Sequence, residues 1–268
     1  MPPRRRAPRT NGTEPVTAQP TTGGATTAGG AAPRVPLRVL TYNIHGQQDD
    51  VAALARVVRE VAPDVVVVQE GPRRLRWRTR AADLARRCGL FSGGGGAPAA
   101  GNLLLLGQRV RVLETWSVLF PLNPRHHLRG VAFARCVLDW GDGERPDRPF
   151  VVAGTHLSTD PEQRQRQAGL LAPVLAGRSE PVVLGVDLNE PPDGPAWKQF
   201  HAAGLRDAAA GGAPGPTFSV ASPRHRLDAL LVGDGWTVGG YQLIDTPDAR
   251  VASDHFPVLA ELTPAAAG

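Results

Sequence analysis

Short runs of branched apolar residues, each closing on a polar side chain, constrain this sequence more than any other feature. Val65-Val66-Val67-Val68 closes on Gln69-Glu70, and residues 150–155 close on His156. Residues 181–186 close on Asp187, with Asn189 two positions further, and residues 37–42 close on Asn43. Runs of four to six such residues are too short for a buried helix and suit strands covered on both faces. Ser253-Asp254-His255 reverses the order, setting an acid and an imidazole ahead of the apolar run 258–262. Buried polar groups are penalised unless partnered, so this many at strand ends builds a poor core and a good site.

The 268 residues can bury a large core, and no stretch reaches the roughly 20 apolar residues of a membrane helix. No apolar segment follows Arg4-Arg5-Arg6, which argues against a secretory signal. Cys88 and Cys136 are the only cysteines, too few for a disulfide framework or a zinc cluster, and a reducing cytoplasmic setting is expected. The net charge of +5 is concentrated in residues 1–34, where five arginines face one acid, Glu14. The near-neutral remainder offers little of the broad attraction that drives non-specific DNA binding.

Residues 1–34 are rich in Pro, Gly and Thr, carry that basic charge and lack apolar periodicity, so a disordered tail is expected there. Residues 35–268 are expected to form one catalytic domain. Asp49 or Asp50 can cap a helix with Val51, Leu54, Val58 and Val61 or Ala62 on one face, which stops at Pro63. An arginine-rich helix is expected over residues 73–87, with a loop at Gly93–Gly96. Thr159-Asp160-Pro161-Glu162 starts a third helix, which Pro173 should kink or shorten. Further strands are read at 102–106, 131–138, 227–232, 236–244 and 256–262. Many strands with few helices between them imply two packed sheets with helices outside.

The polar strand ends carry oxygen-rich chemistry. Magnesium takes oxygen ligands, keeps several waters and needs one or two carboxylates, a demand that Glu70, Asp254 and the amide oxygen of Asn43 satisfy. Asp187 and Asn189, at i and i+2, can hold a water for in-line attack on phosphorus; the competing reading is a turn before Pro191-Pro192. Asp228 supplies a buried carboxylate that could orient an imidazole, with His156 and His255 as the available rings. Gly93–Gly96 lacks the lysine of a phosphate-binding loop.

Taken in order, Thr41-Tyr42-Asn43-Ile44-His45-Gly46, Val68-Gln69-Glu70, Gly101-Asn102-Leu103-Leu104, Gly154-Thr155-His156-Leu157, Gly185-Val186-Asp187-Leu188-Asn189, Arg226-Leu227-Asp228 and Ser253-Asp254-His255 form one set. Over residues 37–262 the chain resembles the endonuclease/exonuclease/phosphatase superfamily of metal-dependent phosphoesterases. The resemblance implies an α/β four-layer sandwich, two packed mixed β-sheets flanked by helices, with the polar residues meeting at one edge. It implies that Glu70 is the principal ligand of a magnesium or manganese ion, with Asn43 and Asp254 close by. It implies that Asp187, assisted by Asn189, positions or deprotonates the attacking water. His255 paired with Asp228 would contact the scissile phosphate, His156 would be a second phosphate contact, and Asn102 would support substrate binding. Arg164 and Gln167 match the family pattern as structural residues.

Departures from that pattern bear on the substrate. Leu188 stands where a phenylalanine is usual, and Gly107-Gln108 replaces the usual Ser-Arg after the central Asn. No tyrosine fills the phosphate-contact slot, for which Arg129 is the best substitute. The segments common in abasic-site nucleases read here as Asn43-Ile44-His45-Gly46 and Gln69-Glu70-Gly71-Pro72, which weakens a DNA-repair assignment. The expectation is a monomeric phosphodiesterase or phosphatase without a transmembrane segment, acting on a small molecule, a lipid head group or a nucleic acid. A nuclease is the alternative, with Arg73, Arg74, Arg76, Arg78 and Arg80 lining its approach; a solvated helix face is the preferred reading of those arginines. A non-catalytic binding module of the same fold is disfavoured because the metal and water residues are intact.

Overall fold

Val65–Gln69 forms the strand β2, and its four valines explain the layering. The computed structural model describes residues 35–140, 148–212 and 214–265, which fall within one unit, Pro33–Gly268. The expected tail over 1–34 lies outside the described residues. Val65 and Val67 face one way, into a core shared with Val39, Leu104, Val152, Val183 and Leu230. Val66 and Val68 face the other way, against Leu54, Val58 and Leu84. Strand side chains alternate with period two, so a strand buried on both faces must sit between two other layers.

In chain order the strands are β1 (Leu37–Asn43), β2, β3 (Phe91–Gly95), β4 (Leu103–Leu106), β5 (Val110–Leu119), β6 (Gly130–Leu138), β7 (Phe150–His156), β8 (Val182–Asp187), β9 (Arg206–Asp207), β10 (Asp228–Val232), β11 (Trp236–Leu243) and β12 (Val258–Pro264). The α-helices are α1 (Val51–Val61), α2 (Trp77–Cys88), α3 (Pro161–Ala176), α4 (Pro195–Ala202) and α5 (Ala249–Ala252). One six-stranded sheet runs β11-β12-β1-β2-β4-β3, and the other runs β5-β6-β7-β8-β10-β9. The sheets face each other across the core containing Val67. Helices α1, α2 and α5 cover the first sheet, and α3 with α4 covers the second. This is the four-layer α/β sandwich expected from the sequence. Gly185 permits the close approach of the sheets, since a Cβ there would lie 2.7 Å from that of Val67.

Each sheet is mixed, and its one parallel pair positions the site. β1 pairs with β2 in parallel, bringing Asn43 beside Gln69; β7 pairs with β8 in parallel, bringing His156 beside Asp187. β10 runs antiparallel to β8, so its first residue, Asp228, also pairs with Asp187. Strand ends from both sheets therefore gather at one edge.

The helix starts follow their capping chemistry. Asp50 accepts from the N–H groups of Ala52 and Ala53 at 2.8 and 2.9 Å, and Asp160 accepts from Gln163 at 2.9 Å ahead of Pro161. Pro173 does not stop α3, which continues to Ala176 because the proline falls in its last turn. The arginine-rich helix begins later than expected, at Trp77, so Arg73 and Arg74 lie in the preceding loop.

The expected loop at Gly93–Gly96 is corrected: most of it belongs to the edge strand β3, paired with β4 through a register shift between Ser92 and Gly94. Glycine is used there for close approach. A Cβ on Gly95 would lie 2.3 Å from the Asn102 carbonyl oxygen, and its φ of 87° disfavours other residues.

Candidate active site

Asp187 lies at the centre of the gathered strand ends and is 1 % exposed. Its Oδ1 accepts the backbone N–H of Asn189 at 3.0 Å, and its Oδ2 accepts Asn43 Nδ2 at 2.9 Å. Two imidazoles approach the same Oδ2: His156 Nε2 at 3.2 Å and His255 Nε2 at 4.0 Å. The first bond closes a turn after β8, with Asn189 at φ 52°. Asn189 therefore does not share a strand face with Asp187. Its amide lies 2.8 Å from His156 Nε2 and donates to the Leu157 carbonyl at 2.9 Å, holding the ring instead of standing beside Asp187.

The imidazole that Asp228 orients is His255, whose Nδ1 lies 2.8 Å from Asp228 Oδ2. Burial opposes a charge on His255. Asp228, hydrogen-bonded to the ring, outweighs it with help from Asp187 and Asp254, and the pKa rises to about 10. Thr217 Oγ1 accepts from the Asp228 N–H at 3.1 Å, and Phe218 packs on the His255 ring at 4.7 Å. His156 is the opposite case: burial dominates and takes its pKa down to about 3, against the pull of Asp187. Its Nδ1 is buried without a hydrogen-bond partner and lies 3.7 Å from Glu70 Oε1.

Glu70 follows β2 in a left-handed conformation, φ 55°, with a side chain about one-third exposed. Such backbone is uncommon for a residue with a Cβ, and it swings the carboxylate away from the strand toward the cavity. Asp254 is comparably exposed, and its Oδ1 lies 3.9 Å from His45 Nδ1. His45, which sequence reasoning did not single out, pairs with Asp49 at 2.8 Å. Partial burial works against its proton, yet Asp49, Asp254 and Glu70 together raise its pKa. Asn43 Oδ1 accepts the His45 N–H at 3.1 Å. Ser253 Oγ donates to the Asn43 carbonyl at 2.7 Å, tying the Asp254-His255 corner to the end of β1.

Two donor sets could hold a cation. Asp187, Asp228 and His255 are buried with ligand atoms within 4.8 Å of one another. A protonated His255, held by Asp228, has no lone pair to give, so this set suits proton transfer and anion contact better than metal binding. Glu70 and Asp254 offer hard carboxylate oxygens beside Asn43, Glu70 near only the His156 ring at 3.7 Å and Asp254 near the His45 ring at 3.9 Å and the Ser253 hydroxyl at 3.5 Å, and they fit a magnesium-type ion.

Glu70 and His156 line a cavity of about 490 Å³ together with Arg73, Arg74, Arg80 and Arg129. The preferred sequence reading of the arginines as a solvated helix face is corrected in placement for Arg73 and Arg74, which are exposed but precede α2, while Arg80 is an exposed residue of α2 that also borders the cavity. Arg73 and Arg74 reach the cavity because α2 begins after them, whereas Arg78 lies over Trp77 instead. Arg129 has its Nε buried without a partner, and burial lowers its pKa against the pull of Asp187 and Glu70. Asn102 stands behind the wall, donating to the carbonyls of Ala99 at 2.8 Å and Gly130 at 2.9 Å. It supports the segment after Arg129 and does not line the cavity.

Sequence reasoning missed Glu190. Its Oε2 accepts Arg164 Nε at 3.0 Å, while Oε1 accepts the N–H groups of Ala196 at 2.7 Å and Trp197 at 3.2 Å. Arg164 also donates to the carbonyls of Ser158 and Thr159, and Gln167 accepts from the Ser158 N–H at 2.8 Å. The loops after His156 and Asn189 are locked together by these bonds. Glu190 directly follows Asn189 and precedes Pro191-Pro192, which gave it the look of a turn residue.

Known proteins share this architecture. A family protein from Bacteroides thetaiotaomicron superposes with a TM-score of 0.70 at 20 % identity, over 86 % of this chain and 98 % of that one. A mannosyl-6-phosphatase from Bacteroides thetaiotaomicron VPI-5482 gives 0.70 at 18 % identity, over 85 % and 99 %. TDP2 from D. rerio, complexed with a single-strand DNA product, gives 0.63 at 17 % identity, over 85 % and 98 %. At these identities the likeness shows a common fold. No curated protein matches the sequence. A sequence model of the Endonuclease/Exonuclease/phosphatase family matches residues 40–255, spanning the site residues from Asn43 to His255, and the chain belongs to that family.

Proposed function

We propose that the chain is a metal-dependent phosphoester hydrolase that drives an in-line attack of water on phosphorus. The observation that carries this reading is Asp187. Its buried carboxylate is fixed by two donors and flanked by a charged and a neutral imidazole, beside a cavity that Glu70 and arginines line. Glu70, Asp254 and Asn43 would hold magnesium or manganese. A cation bound there supplies positive charge to a phosphoryl oxygen.

Asp187 accepts the proton of the attacking water while Asn43 and the Asn189 N–H keep its carboxylate from rotating. The water oxygen bonds to phosphorus as the ester oxygen on the opposite side departs and takes up a proton from solvent. His255, charged through Asp228, presents Nε2–H, which stands 4.0 Å from Asp187 Oδ2, to a phosphoryl oxygen. His156, neutral and held by Asn189, offers a second contact through Nδ1, and Arg129 covers the cavity side. Asn102 acts by supporting Gly130. The free thiols Cys88 and Cys136, both buried, suit a reducing cytoplasmic setting. Among the described residues no helix is long and apolar enough to cross a membrane.

Release of p-nitrophenolate from bis-p-nitrophenyl phosphate tests the reading. Turnover should require magnesium or manganese, stop with EDTA, and fall at least 100-fold in kcat in Asp187→Asn, within the range of a lost general base. Turnover of that variant at the wild-type rate would remove Asp187 from the mechanism.

A nuclease is the second reading, favoured by the arginines in the cavity and by the DNA complex of the D. rerio neighbour. It requires binding of single-stranded DNA with a steep salt dependence.

A further inference from the structure

Most arginines whose contacts are described away from the active-site mouth are held by acids. Arg56 is held by Asp248, Arg109 by Asp64, Arg135 by Glu180, and Arg226 by Asp207. The cavity beside Glu70 breaks this pattern. Among the described residues the guanidiniums of Arg74, Arg80 and Arg129 have no hydrogen bond or ion pair, and that of Arg73 has only the Ala100 carbonyl at 3.3 Å. Glu70 is the only acid among the lining residues. Four neighbouring guanidiniums repel one another, and Arg73 adds to the forces that lower the pKa of Arg129. An anion between them would relieve that repulsion.

This positive charge exceeds what one reacting phosphate needs, since His255 already serves the phosphate on the Asp187 side. Guanidinium forks match phosphate oxygens two at a time, so several of them make a phosphate subsite. The lining also limits the scaffold that carries the phosphate. It contains no Phe, Tyr or Trp, so its only flat faces are the imidazoles of His127 and His156 and the guanidiniums, which a phosphate would occupy, and Gly46 and Ala100 leave room for a saturated ring.

We propose that Arg73, Arg74, Arg80 and Arg129 form a subsite for a second, non-reacting phosphate. The substrate is then a sugar or polyol that carries at least two phosphate groups. The inference rests on the hydrolase reading above, and its test separates the two.

Full-length wild-type protein and the double variant Arg74→Ala/Arg80→Ala are assayed with magnesium on glucose 1,6-bisphosphate, glucose 1-phosphate and glucose 6-phosphate. The wild type should favour the bisphosphate at least tenfold in kcat/KM. The double variant should lose roughly 10- to 100-fold of that preference, mainly through KM, as expected for lost charge-assisted hydrogen bonds. No preference in the wild type, or an equal loss on all three substrates, overturns the subsite. A wild-type preference for 5′-phosphorylated oligothymidylate over the bisphosphate overturns the substrate class. If the wild type hydrolyses no phosphoester, the hydrolase reading fails, and calorimetric titration with inorganic pyrophosphate in metal-free buffer decides the subsite. Binding at least tenfold weaker in the double variant upholds it; equal binding overturns it.

Discussion

His156 and His255 approach the same oxygen, Asp187 Oδ2, at 3.2 and 4.0 Å, yet the fold holds them in opposite charge states. Both rings are buried, so desolvation does not separate them. Asp228 does: it is bonded to His255 alone, and it enters beside Asp187 because β10 runs antiparallel to β8. One ring can then hold a proton against an anion while the other stays neutral beside Glu70.

Replacing the carboxylate tests that division. In Asp228→Asn the amide cannot stabilise an imidazolium as the carboxylate does, so the His255 pKa should fall from about 10 toward neutrality. The alkaline limb of kcat/KM should move down with it, by one pH unit or more, and activity at pH 8 should drop. Stability follows the same sign. His255 has a folded pKa above its ordinary 6.5, so its contribution is complete below pH 6.5 and is lost as pH rises through about 10. Urea midpoints from pH 6 to 10 should fall more steeply for the wild type than for the variant. Coincident pH–rate profiles would remove Asp228 from control of the ring.

His156 shifts stability on the acid side. Its folded pKa is about 3, so below pH 6.5 the unfolded chain takes up a proton that the native ring refuses. Native stability should decline as pH falls from 6.5 toward 3, by up to about 1.4 kcal/mol per pH unit from this group. His156→Gln lacks the titrating ring, and its urea midpoint should vary less between pH 7 and 4. An unchanged acid slope would mean that His156 titrates normally in the fold.

The four-layer fold was legible because its signals are local. The valine run of β2 cannot be covered from one side, and Asp50 and Asp160 announce their helices within three residues. The gathering of Asn43, Glu70, His156, Asp187, Asp228 and His255 was legible through the family resemblance, and it arises because the parallel strands β1, β2, β7 and β8 end where the antiparallel strands β10 and β12 begin. The direction of each side chain was not. Asn189 turns toward His156 because β8 ends at Asp187, and a strand end is known only to within a residue or two. Glu190 meets Arg164 across 26 positions, a separation with no local signature. β3 is glycine-rich and fits its neighbour by backbone approach, which hydropathy does not register.

Glu70 supports a prediction that separates its chemistry from its backbone. Glu70→Ala and Glu70→Gly both remove the carboxylate, so both should abolish the heat of magnesium or manganese binding and lower turnover at least 100-fold, within the range of a lost functional group. Their stabilities should differ. At φ 55° alanine carries a Cβ penalty that glycine avoids, so the glycine variant should be more stable than the alanine variant by about 1 kcal/mol. Calorimetric metal titration and urea unfolding measure the two effects independently. Wild-type metal affinity in either variant would move the cation away from Glu70.

Arg164 and Glu190 offer the last prediction, because their bond ties the segment after His156 to the segment after Asn189. Arg164 is 8 % exposed and Glu190 is 3 % exposed. Arg164→Met should leave a buried carboxylate without its cation and cost about 3–5 kcal/mol in urea unfolding. Glu190→Gln keeps an acceptor for the Ala196 and Trp197 N–H groups while removing the charge, so it should cost less. Combining the two removes the unpaired charge altogether, and the double variant should be more stable than Arg164→Met alone. Activity should follow a different order. Arg164 also grips the carbonyls of Ser158 and Thr159, so both variants lacking it should lower kcat through a displaced His156, even where stability recovers. A double variant as unstable as Arg164→Met would mean that packing, and not charge pairing, holds these loops.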